Sequence, residues 1–344
     1  MSVYYDGYQT LTHNALFNFI IGNRGSGKTF FGKRWAINDF LKNGNEFVYL
    51  RRYVKELNKI KTFFNDVSEF YPNVKFEVKG RKFFINDKYA GEAMPLSTSK
   101  IEKSTSFPKV NKILFDEFII DKGVYRYLTN EIDYFLEFYE TIARTREVKV
   151  FFLANAITQT NPYFLYFGIE LPYNKTRQTF YNDGKGNYTK KRQGRDPDIL
   201  IELVANDAFI EMKEKTRFGK LIAGTDYFDY AVKNTFLRDS NEFIVKKQGT
   251  AKYRFLIVYK GQNLGVWIDT VNGYYLLSNS IDPSNKIMYS FTTDDHKTNT
   301  MLAKSINKLP LLRNLFDAFK NGFLRFETMD VKNLFYDLLR EVTF

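Results

Sequence analysis

The sequence predicts an α/β fold with two domains, the first built on a largely parallel sheet and the second a smaller α+β domain. Between residues 17 and 155, short apolar runs alternate with segments of helical periodicity, which is the pattern of a parallel sheet covered by helices. Beyond residue 233, closely spaced strand patterns precede two amphipathic segments. We place the first domain at residues 1–205, a linker at residues 206–232 and the second domain at residues 233–344.

Strands and helices of the first domain follow from the spacing of its apolar residues. The run at residues 148–154 is apolar throughout, which is typical of a strand buried on both faces. Helices are predicted over residues 30–42, where Gly44 suits the position after a helix, and over residues 131–141. The predicted strands are residues 17–21, 46–52, 112–115 and 148–154, and a hairpin is predicted from residues 75–78 and 82–85.

The second domain is predicted to be an antiparallel meander followed by two helices. Asn272-Gly273 is a strong hairpin signal between two of its strand patterns. The predicted strands are residues 242–246, 254–259, 264–269 and 274–277, and the predicted helices are residues 311–319 and 331–339.

Composition excludes several classes of protein. The chain has 344 residues, no cysteine and two histidines, which excludes disulfides and thiolate zinc sites and leaves little material for a histidine-based site. The formal net charge of +12 favours a polyanionic partner, because Lys and Arg bind phosphates. The absence of cysteine suits an intracellular protein, and since no run of about 18 apolar residues is present, we expect no membrane partner.

Residues 22–29 have the pattern G-x-x-x-x-G-K-[ST], directly after an apolar strand and before a predicted helix. In such a loop, glycines let backbone N–H groups surround phosphate oxygens, Lys28 neutralises their charge and Thr29 offers a hydroxyl to Mg²⁺. The motif therefore predicts a site for ATP and Mg²⁺. Its nucleotide-binding residues are Gly22, Asn23, Arg24, Gly25, Ser26, Gly27, Lys28 and Thr29.

A second, acidic element completes the pattern of a nucleotide hydrolase. The apolar strand at residues 112–115 is followed by Asp116 and Glu117. We expect Asp116 to hold Mg²⁺ together with Thr29, and Glu117 to polarise the attacking water. Asn155 follows the next apolar strand, where a polar side chain is placed to contact the γ-phosphate or the water.

Two arginines are candidates for cancelling the charge that builds on the γ-phosphoryl group. Arg144 and Arg146 lie between a predicted helix and the strand after it, in a loop that could act on a neighbouring subunit of a ring. The sequence leaves open which of them acts, and a surface position stays open for both. Arg51, Arg52 and Lys103 could contact phosphate or DNA, or form ordinary surface ion pairs.

A basic loop follows at residues 185–195, with five basic residues, glycines and no acid. Two interpretations stay open for it. The loop is either a solvated surface insertion or a segment that contacts the phosphates of a nucleic acid.

Longer segments carry a family resemblance. They include E-F-V-Y-L-R-R-Y at residues 46–53, I-L-F-D-E-F at residues 113–118, N-P-Y-F-L-Y-F at residues 161–167 and K-T-R-F-G-K-L-I-A-G-T at residues 215–225. With G-N-R-G-S-G-K-T, they resemble the phi29-type bacteriophage DNA-packaging ATPases, or encapsidation proteins. The resemblance covers nearly the whole chain and is poorest at residues 182–195.

The resemblance implies a P-loop ATPase domain of the ASCE type and an RNase H-like second domain. It also implies a homo-oligomeric ring, a pentamer, that uses ATP to drive double-stranded DNA into a prohead through its portal, or connector. Whether a packaging RNA joins the motor to the portal stays open. The implied location is the host cytoplasm and, transiently, the portal vertex of the prohead, with no place in the mature virion.

Individual residues also match positions that have a role in that family. The arginine that acts in trans falls at Arg144 of this sequence. Lys28 matches the Walker A lysine, Asp116 and Glu117 match the Walker B acids, and Asn155 matches the sensing position.

The resemblance further implies that the second domain is a nuclease relic that binds nucleic acid or docks the motor. Two-metal nuclease chemistry needs converging carboxylates, whereas strand 254–259 has none and the remaining acids are scattered. They are Asp269, Asp282, Asp294 and Asp295. Two alternatives stay open: a terminase-like motor with an active nuclease, and a nucleic-acid-binding assembly module that uses ATP only for conformation.

Overall fold

The computed structural model describes residues 4–102, 106–120, 127–155, 161–169, 171–172, 176–204, 207–225, 228, 242–303, 305–339 and 342. The chain divides into two compact units, Met1–Arg238 and Asp239–Phe344. We refer to them as the first unit and the second unit. Each has its own sheet.

The first unit is built on a mixed sheet to which the described residues contribute ten strands. Six neighbouring strands in its centre, in the order β5-β2-β6-β7-β1-β10, are parallel, and the outer strands pair antiparallel. The strands are β1 Phe17–Gly22, β2 Glu46–Arg51, β3 Phe76–Lys79, β4 Lys82–Ile85, β5 Lys88–Pro95, β6 Val110–Asp116, β7 Lys149–Asn155, β8 Arg177–Asn182, β9 Tyr188–Thr189 and β10 Ile199–Val204.

Helices cover both faces of this sheet. The described helices of the first unit are α1 Tyr8–Leu11, α2 Lys28–Asn43, α3 Glu131–Ala143, α4 Pro162–Phe167, α5 Asp207–Lys215 and α6 Arg217–Ile222. On β7, Phe151 stacks on Trp35 of α2 at 4.6 Å between ring centroids, while Phe152 packs on Phe135 of α3 at 4.9 Å. Successive residues of a strand point to opposite faces of the sheet. Because both faces of β7 are buried, the residues that point to either face must be apolar, which explains its unbroken apolar run.

The strands and helices predicted for residues 17–155 are confirmed, with boundaries that shift by a few residues. Helix α2 ends where predicted, since Gly44 has φ 71° and its N–H is bonded to the Phe40 carbonyl at 2.8 Å. Strand β6 begins at Val110, two residues before its predicted start. Strands β5, β8 and β10 were not predicted, and β10 pairs in parallel with β1.

In the second unit the described residues form a six-stranded sheet in the order β15-β14-β11-β12-β13-β16. Its strands are β11 Lys252–Tyr259, β12 Gln262–Asp269, β13 Tyr274–Ser278, β14 Met288–Ser290, β15 Met301–Leu302 and β16 Leu324–Phe326, and its helices are α7 Pro310–Lys320 and α8 Met329–Leu338. Strands β11, β12 and β13 form the predicted antiparallel meander. Strands β14, β15 and β16 add parallel pairs at both sides.

The predicted strand at residues 242–246 is wrong. This segment makes a single bridge, from Ile244 to Phe326. Phe243 has φ 69°, a left-handed conformation that interrupts an extended strand. None of the helices in the described parts of the chain is long and apolar enough to span a membrane.

Candidate active site

The phosphate loop connects β1 to α2, as the motif predicts. Gly25 and Gly27 have φ of 80° and 92°, a conformation that glycine adopts without steric cost. Ser26 donates its hydroxyl to the Asn23 carbonyl at 2.9 Å, which closes the loop, while Arg24 is exposed. The loop thus turns successive backbone N–H groups around the amino end of α2, where an anion is stabilised.

Lys28 is buried in the centre of this loop. Its ammonium donates to the carbonyls of Gly22 and Asn23 at 3.1 and 2.7 Å, and to Asn155 Oδ1 at 3.5 Å. Burial lowers the pKa of Lys28 to about 7, and the charge of Asp116 opposes part of this shift. The ammonium of Lys28 is poorly solvated in this position. A phosphate beside it would therefore be stabilised by the ammonium charge.

Asp116 ends β6 next to the phosphate loop. Thr29 donates its hydroxyl to Asp116 Oδ1 at 3.0 Å, and Tyr49 donates to Asp116 Oδ2 at 2.8 Å. A hydroxyl and a carboxylate at this separation are the oxygen ligands that Mg²⁺ prefers. The donor set therefore fits the Mg²⁺ that the sequence predicts at Thr29 and Asp116.

Glu117 projects beside Asp116 from a turn in which its own φ is 59°. Its side chain is 58% exposed, and Arg51 donates to Glu117 Oε2 at 2.5 Å. The same guanidinium donates to Glu56 at 2.9 Å. Arg51, for which the sequence left a surface ion pair or a phosphate contact open, thus joins the acids of the site.

A cavity of about 780 Å³ opens onto these groups, lined by Lys28, Thr29, Asp116, Glu117 and Asn155. These residues and residues 24–27 of the phosphate loop thus share one cavity, whereas neither Arg144 nor Arg146 lines it. Sequence reasoning missed the rest of the lining, which includes the carboxylates Asp6 and Glu69 and a group of aromatic residues with one arginine, here called the aromatic wall. The aromatic wall consists of Tyr4, Tyr5, Tyr8, Phe30, Phe31, Phe70 and Arg34.

The amino-terminal segment holds part of that wall against the phosphate loop. The Tyr5 backbone N–H is bonded to the Ser26 carbonyl at 2.8 Å, and the Tyr5 hydroxyl donates to the Glu202 carboxylate at 2.8 Å. Burial, followed by the charge of Glu202, raises the pKa of Tyr5 above its ordinary value, so the phenol stays a donor. The cluster of tyrosines shortly before β1 was the signal in the sequence that could have indicated this wall.

Arg144 and Arg146 have different surroundings, although they are two residues apart. The Arg146 guanidinium donates to the carbonyls of Phe107, Val110 and Ile142 at 2.6 Å each. Arg144 caps α3 with φ 52°, and its side chain is exposed. Arg146 therefore has a structural contact, and Arg144 is the arginine that is presented at the surface.

Arg144 lies at the opposite edge of the sheet from the cavity. Helix α3 begins after the carboxyl end of β6 and ends before the amino end of β7, so it runs back across the sheet. The seven residues of β6 separate the two edges by roughly 20 Å. Arg144 is therefore too distant to contact the phosphate site of its own chain.

The basic loop at residues 185–195 also lies at the amino edge, because β8 runs antiparallel to β10. Asp183 Oδ1 accepts the backbone N–H groups of Lys185 and Asn187 at 2.7 and 3.1 Å. Arg195 pairs with Asp198 at 2.8 Å. The loop is thus built on a hydrogen-bonded turn. Lys103 lies outside the described residues.

Three of the four scattered acids of the second unit accept backbone N–H groups of turns. Asp269 Oδ1 accepts the N–H groups of Val271 and Asn272 at 3.0 Å each. Asp295 accepts those of Lys260 and Gly261 at 2.8 Å each. Asp282 caps Ser284 in the same way at 2.9 Å, and Asp294 is exposed.

No group of three or more acidic or histidine residues that could hold a metal ion occurs among the residues that the structure describes. Asp269, Asp282 and Asp295 thus have local partners, and the described acids of the second unit do not converge on a metal site.

The parallel sheet, the phosphate loop at its carboxyl edge and the acids of β6 define a P-loop ATPase fold, here followed by a separate α+β unit. The family model for the podovirus DNA encapsidation protein (Gp16) matches residues 1–344. The chain therefore belongs to the podovirus DNA encapsidation protein family.

Individual relatives are similar over their full length. The chain is 40% identical over 342 residues to the DNA packaging protein of Bacillus phage phi29, covering 99% of this chain and 98% of the relative. It is 38% identical over 333 residues to the DNA packaging protein of Bacillus phage B103, covering 96% and 99%.

Two solved structures are similar as well. The bacteriophage phi29 viral genome packaging motor assembly matches with a TM-score of 0.79 at 39% identity, covering 99% of both chains. The N-terminal domain of the DNA packaging ATPase from bacteriophage phi29 matches with a TM-score of 0.53 at 38% identity, covering 60% of this chain and 98% of that chain.

Proposed function

We propose that this chain is a motor that hydrolyses ATP to move viral double-stranded DNA into a preformed prohead. The observation that carries this proposal is the convergence of Lys28, Thr29, Asp116 and Glu117 on one cavity, in a chain 40% identical to a phage DNA packaging protein. The motor activity is assigned to residues 1–205, the connection to residues 206–232 and docking or nucleic-acid binding to residues 233–344.

Each residue of the site has a separate task in this proposal. The phosphate loop binds the β- and γ-phosphates through its backbone N–H groups and Lys28. Thr29 and Asp116 would hold Mg²⁺, which neutralises charge on the phosphate oxygens when it is bound. Glu117 orients the attacking water and accepts its proton, and Asn155 senses the γ-phosphate from the end of β7.

The aromatic wall gives the nucleotide base a surface to stack on. Tyr8 and Phe70 line the cavity, and the Arg34 guanidinium lies over the Phe70 ring at 5.2 Å from its centroid. Flat aromatic and guanidinium surfaces bind a heterocyclic base by stacking. The wall therefore supports ATP, with its base, as the substrate.

The position of Arg144 supports a ring. Because Arg144 lies across the sheet from its own cavity, it can cancel transition-state charge only in the site of a neighbouring copy. We therefore infer a homo-oligomeric ring in which each subunit supplies Arg144 to the next, and the family resemblance implies that this ring is a pentamer.

The other partners follow from the same proposal. They are double-stranded DNA, favoured by the net charge of +12, and the portal of the prohead, either directly or through a packaging RNA. The motor acts in the host cytoplasm, docks transiently at the portal vertex and leaves before the virion matures.

The test is steady-state ATP hydrolysis by the full chain with Mg²⁺, with and without DNA and purified proheads. Hydrolysis should rise when both DNA and proheads are present, and DNA should become protected from added nuclease. Lys28→Ala should abolish both signals, while Lys42→Ala, an exposed lysine near the other end of α2, should preserve them. Stimulation by DNA alone, without protection, would instead indicate a general translocase. No ATP turnover would indicate an assembly module.

The turn-capping acids support a non-nuclease role for the second unit. Incubating the full chain with DNA and Mg²⁺ or Mn²⁺ should leave the DNA intact. Metal-dependent cleavage that Asp269→Asn or Asp295→Asn abolishes would instead indicate a terminase-like motor with an active nuclease.

A further inference from the structure

Arg52 is a fully buried arginine next to the candidate active site. It follows the last residue of β2 and is 2% exposed. Its guanidinium makes two kinds of contact. It donates to both carboxylate oxygens of Glu131 at 2.7 and 2.8 Å, and to the backbone carbonyls of Glu117 and Phe118 at 3.2 and 2.7 Å.

Glu131 is as deeply buried as its partner. It is the first residue of α3, and its side chain is 0% exposed. Besides Arg52, it accepts the Tyr163 hydroxyl at 3.0 Å and the Leu128 N–H at 2.9 Å. Every oxygen of this carboxylate therefore has at least two donors, and the pair is closed to water.

Stability alone does not explain this pair. A buried ion pair pays a large desolvation penalty, and apolar residues of similar volume often stabilise a protein as well or better. Apolar residues, however, cannot donate to backbone carbonyls. The contacts that distinguish Arg52 from an apolar residue are those to Glu117 and Phe118, the two residues directly after Asp116.

The backbone at Glu117 needs such a contact. Its φ of 59° is unfavourable for a residue that is not glycine, and the turn must keep this conformation for the carboxylate to stay beside the cavity. Arg52 contacts both carbonyls of the turn from a fixed position, because Glu131 and the rings of Phe115 and Tyr127 surround its guanidinium.

We propose that Arg52, held by Glu131, is a positioning residue for Glu117. It keeps the turn after β6 in the left-handed conformation that directs the Glu117 carboxylate toward the attacking water. This inference rests on the proposed hydrolysis of ATP. It assigns Arg52 an effect on the chemical step and none on ATP binding, because neither Arg52 nor Glu131 lines the cavity.

Three variants of graded severity test the inference in the full chain. Arg52→Lys keeps the charge but loses the fork that contacts the carboxylate and both carbonyls together. Glu131→Gln removes the charge that fixes the guanidinium, and Tyr163→Phe removes one hydrogen bond. A matched control is Asp39→Asn, which breaks the ion pair of Asp39 with the buried Lys112 at the amino edge of β6.

ATP binding is followed by a fluorescent ATP analogue, hydrolysis by single-turnover release of phosphate, and folding by circular dichroism. Arg52→Lys and Glu131→Gln should lower the hydrolysis rate at least about tenfold while the analogue's Kd changes less than about twofold. Tyr163→Phe should lower the rate less and leave the fold intact. Asp39→Asn should change neither quantity.

Combining variants separates positioning from general damage. If Arg52 acts through Glu117, then adding Arg52→Lys to Glu117→Gln should not lower the residual rate further. If Arg52→Lys lowers the hydrolysis rate of Glu117→Gln by the same factor as it lowers that of the wild-type chain, the inference is overturned. An unchanged hydrolysis rate in folded Arg52→Lys would also overturn the inference. If Arg52→Lys and Glu131→Gln do not fold, an unchanged hydrolysis rate in Tyr163→Phe would overturn it. A wild-type chain that does not hydrolyse ATP would refute the proposed function instead.

Discussion

The two edges of the parallel sheet in the first unit use charged residues in different ways. At the carboxyl edge, Lys28, Asp116 and Glu117 line a cavity and lie within contact distance of one another or of polar neighbours. At the amino edge, Arg146 is bonded to backbone carbonyls and Arg195 to Asp198. Charges that converge on a cavity can do chemistry, whereas charges satisfied by the backbone hold the fold together.

Arg144 differs from Arg146 at the amino edge, since it is exposed and Arg146 is bonded to carbonyls. Ligand sites of open α/β sheets lie at the carboxyl ends of the strands, so an exposed arginine at the other edge needs a different explanation. A neighbouring subunit provides one.

The largest effect is expected for Arg144→Ala. Loss of an arginine that acts in trans should lower ATP hydrolysis about 10³-fold. A mixture of Arg144→Ala and Lys28→Ala subunits should recover part of the activity, because the Lys28→Ala subunit still supplies Arg144 to its neighbour. If the mixture stays as inactive as its components, Arg144 does not act across an interface.

A somewhat smaller effect is expected for Glu117→Gln. Removing the general base should lower the rate of hydrolysis by about 10² to 10³, while ATP binding is retained because Lys28 and Thr29 are unchanged. Equilibrium binding of ATP and single-turnover hydrolysis measure the two quantities. A loss of ATP binding equal to the loss of rate would place Glu117 in binding instead of catalysis.

Arg146→Ala should affect stability instead of chemistry. Removing a cation that is bonded to several carbonyls should lower the free energy of unfolding by about 2–3 kcal/mol. Chemical denaturation measures this change, and Arg144→Ala is the matched control that should leave stability unaltered. Equal stability of the two variants would contradict the division of roles between these arginines.

The smallest effect is expected for Arg195→Ala. The pair of Arg195 with Asp198 is solvent-exposed, and exposed pairs are screened by water and salt. The variant should melt at the wild-type temperature and hydrolyse ATP at the wild-type rate. A fall in DNA-stimulated hydrolysis alone would reveal that the basic loop contacts nucleic acid.

The parts of the site that could be predicted from the sequence are those whose residues lie close together along the chain. The phosphate loop occupies eight consecutive residues, and Asp116 and Glu117 directly follow an apolar strand, so spacing alone located them. The same holds for β1, β6 and β7, whose apolar runs reflect burial on both faces.

The other parts depend on where the folded chain brings distant residues. Arg52 and Arg51 are adjacent in sequence, yet one is buried against Glu131 and the other contacts Glu117. Their positions at the end of the second strand are visible in the sequence, but Glu117 and Glu131, their partners, lie more than 60 residues further along. Spacing along the chain does not distinguish Arg144 from Arg146 either, whereas the carbonyls around Arg146 do.

The wrong strand at residues 242–246 has a similar origin. Its composition suits an extended strand, whereas the backbone turns at Phe243 and leaves only one bridge to β16. The strand propensity of single residues does not predict such a turn, because tertiary contacts determine the backbone conformation there.

In the proposed ring, the placement of Arg144 across the sheet from Lys28 determines how many active sites are complete. In a closed ring, the number of arginines offered equals the number of cavities, and every cavity receives one. An open arc of the same subunits leaves one cavity without an arginine at one end and one idle arginine at the other. If Arg144 acts in trans as proposed, closing the ring completes the last active site, because the cavity and Arg144 of one subunit lie too far apart to meet.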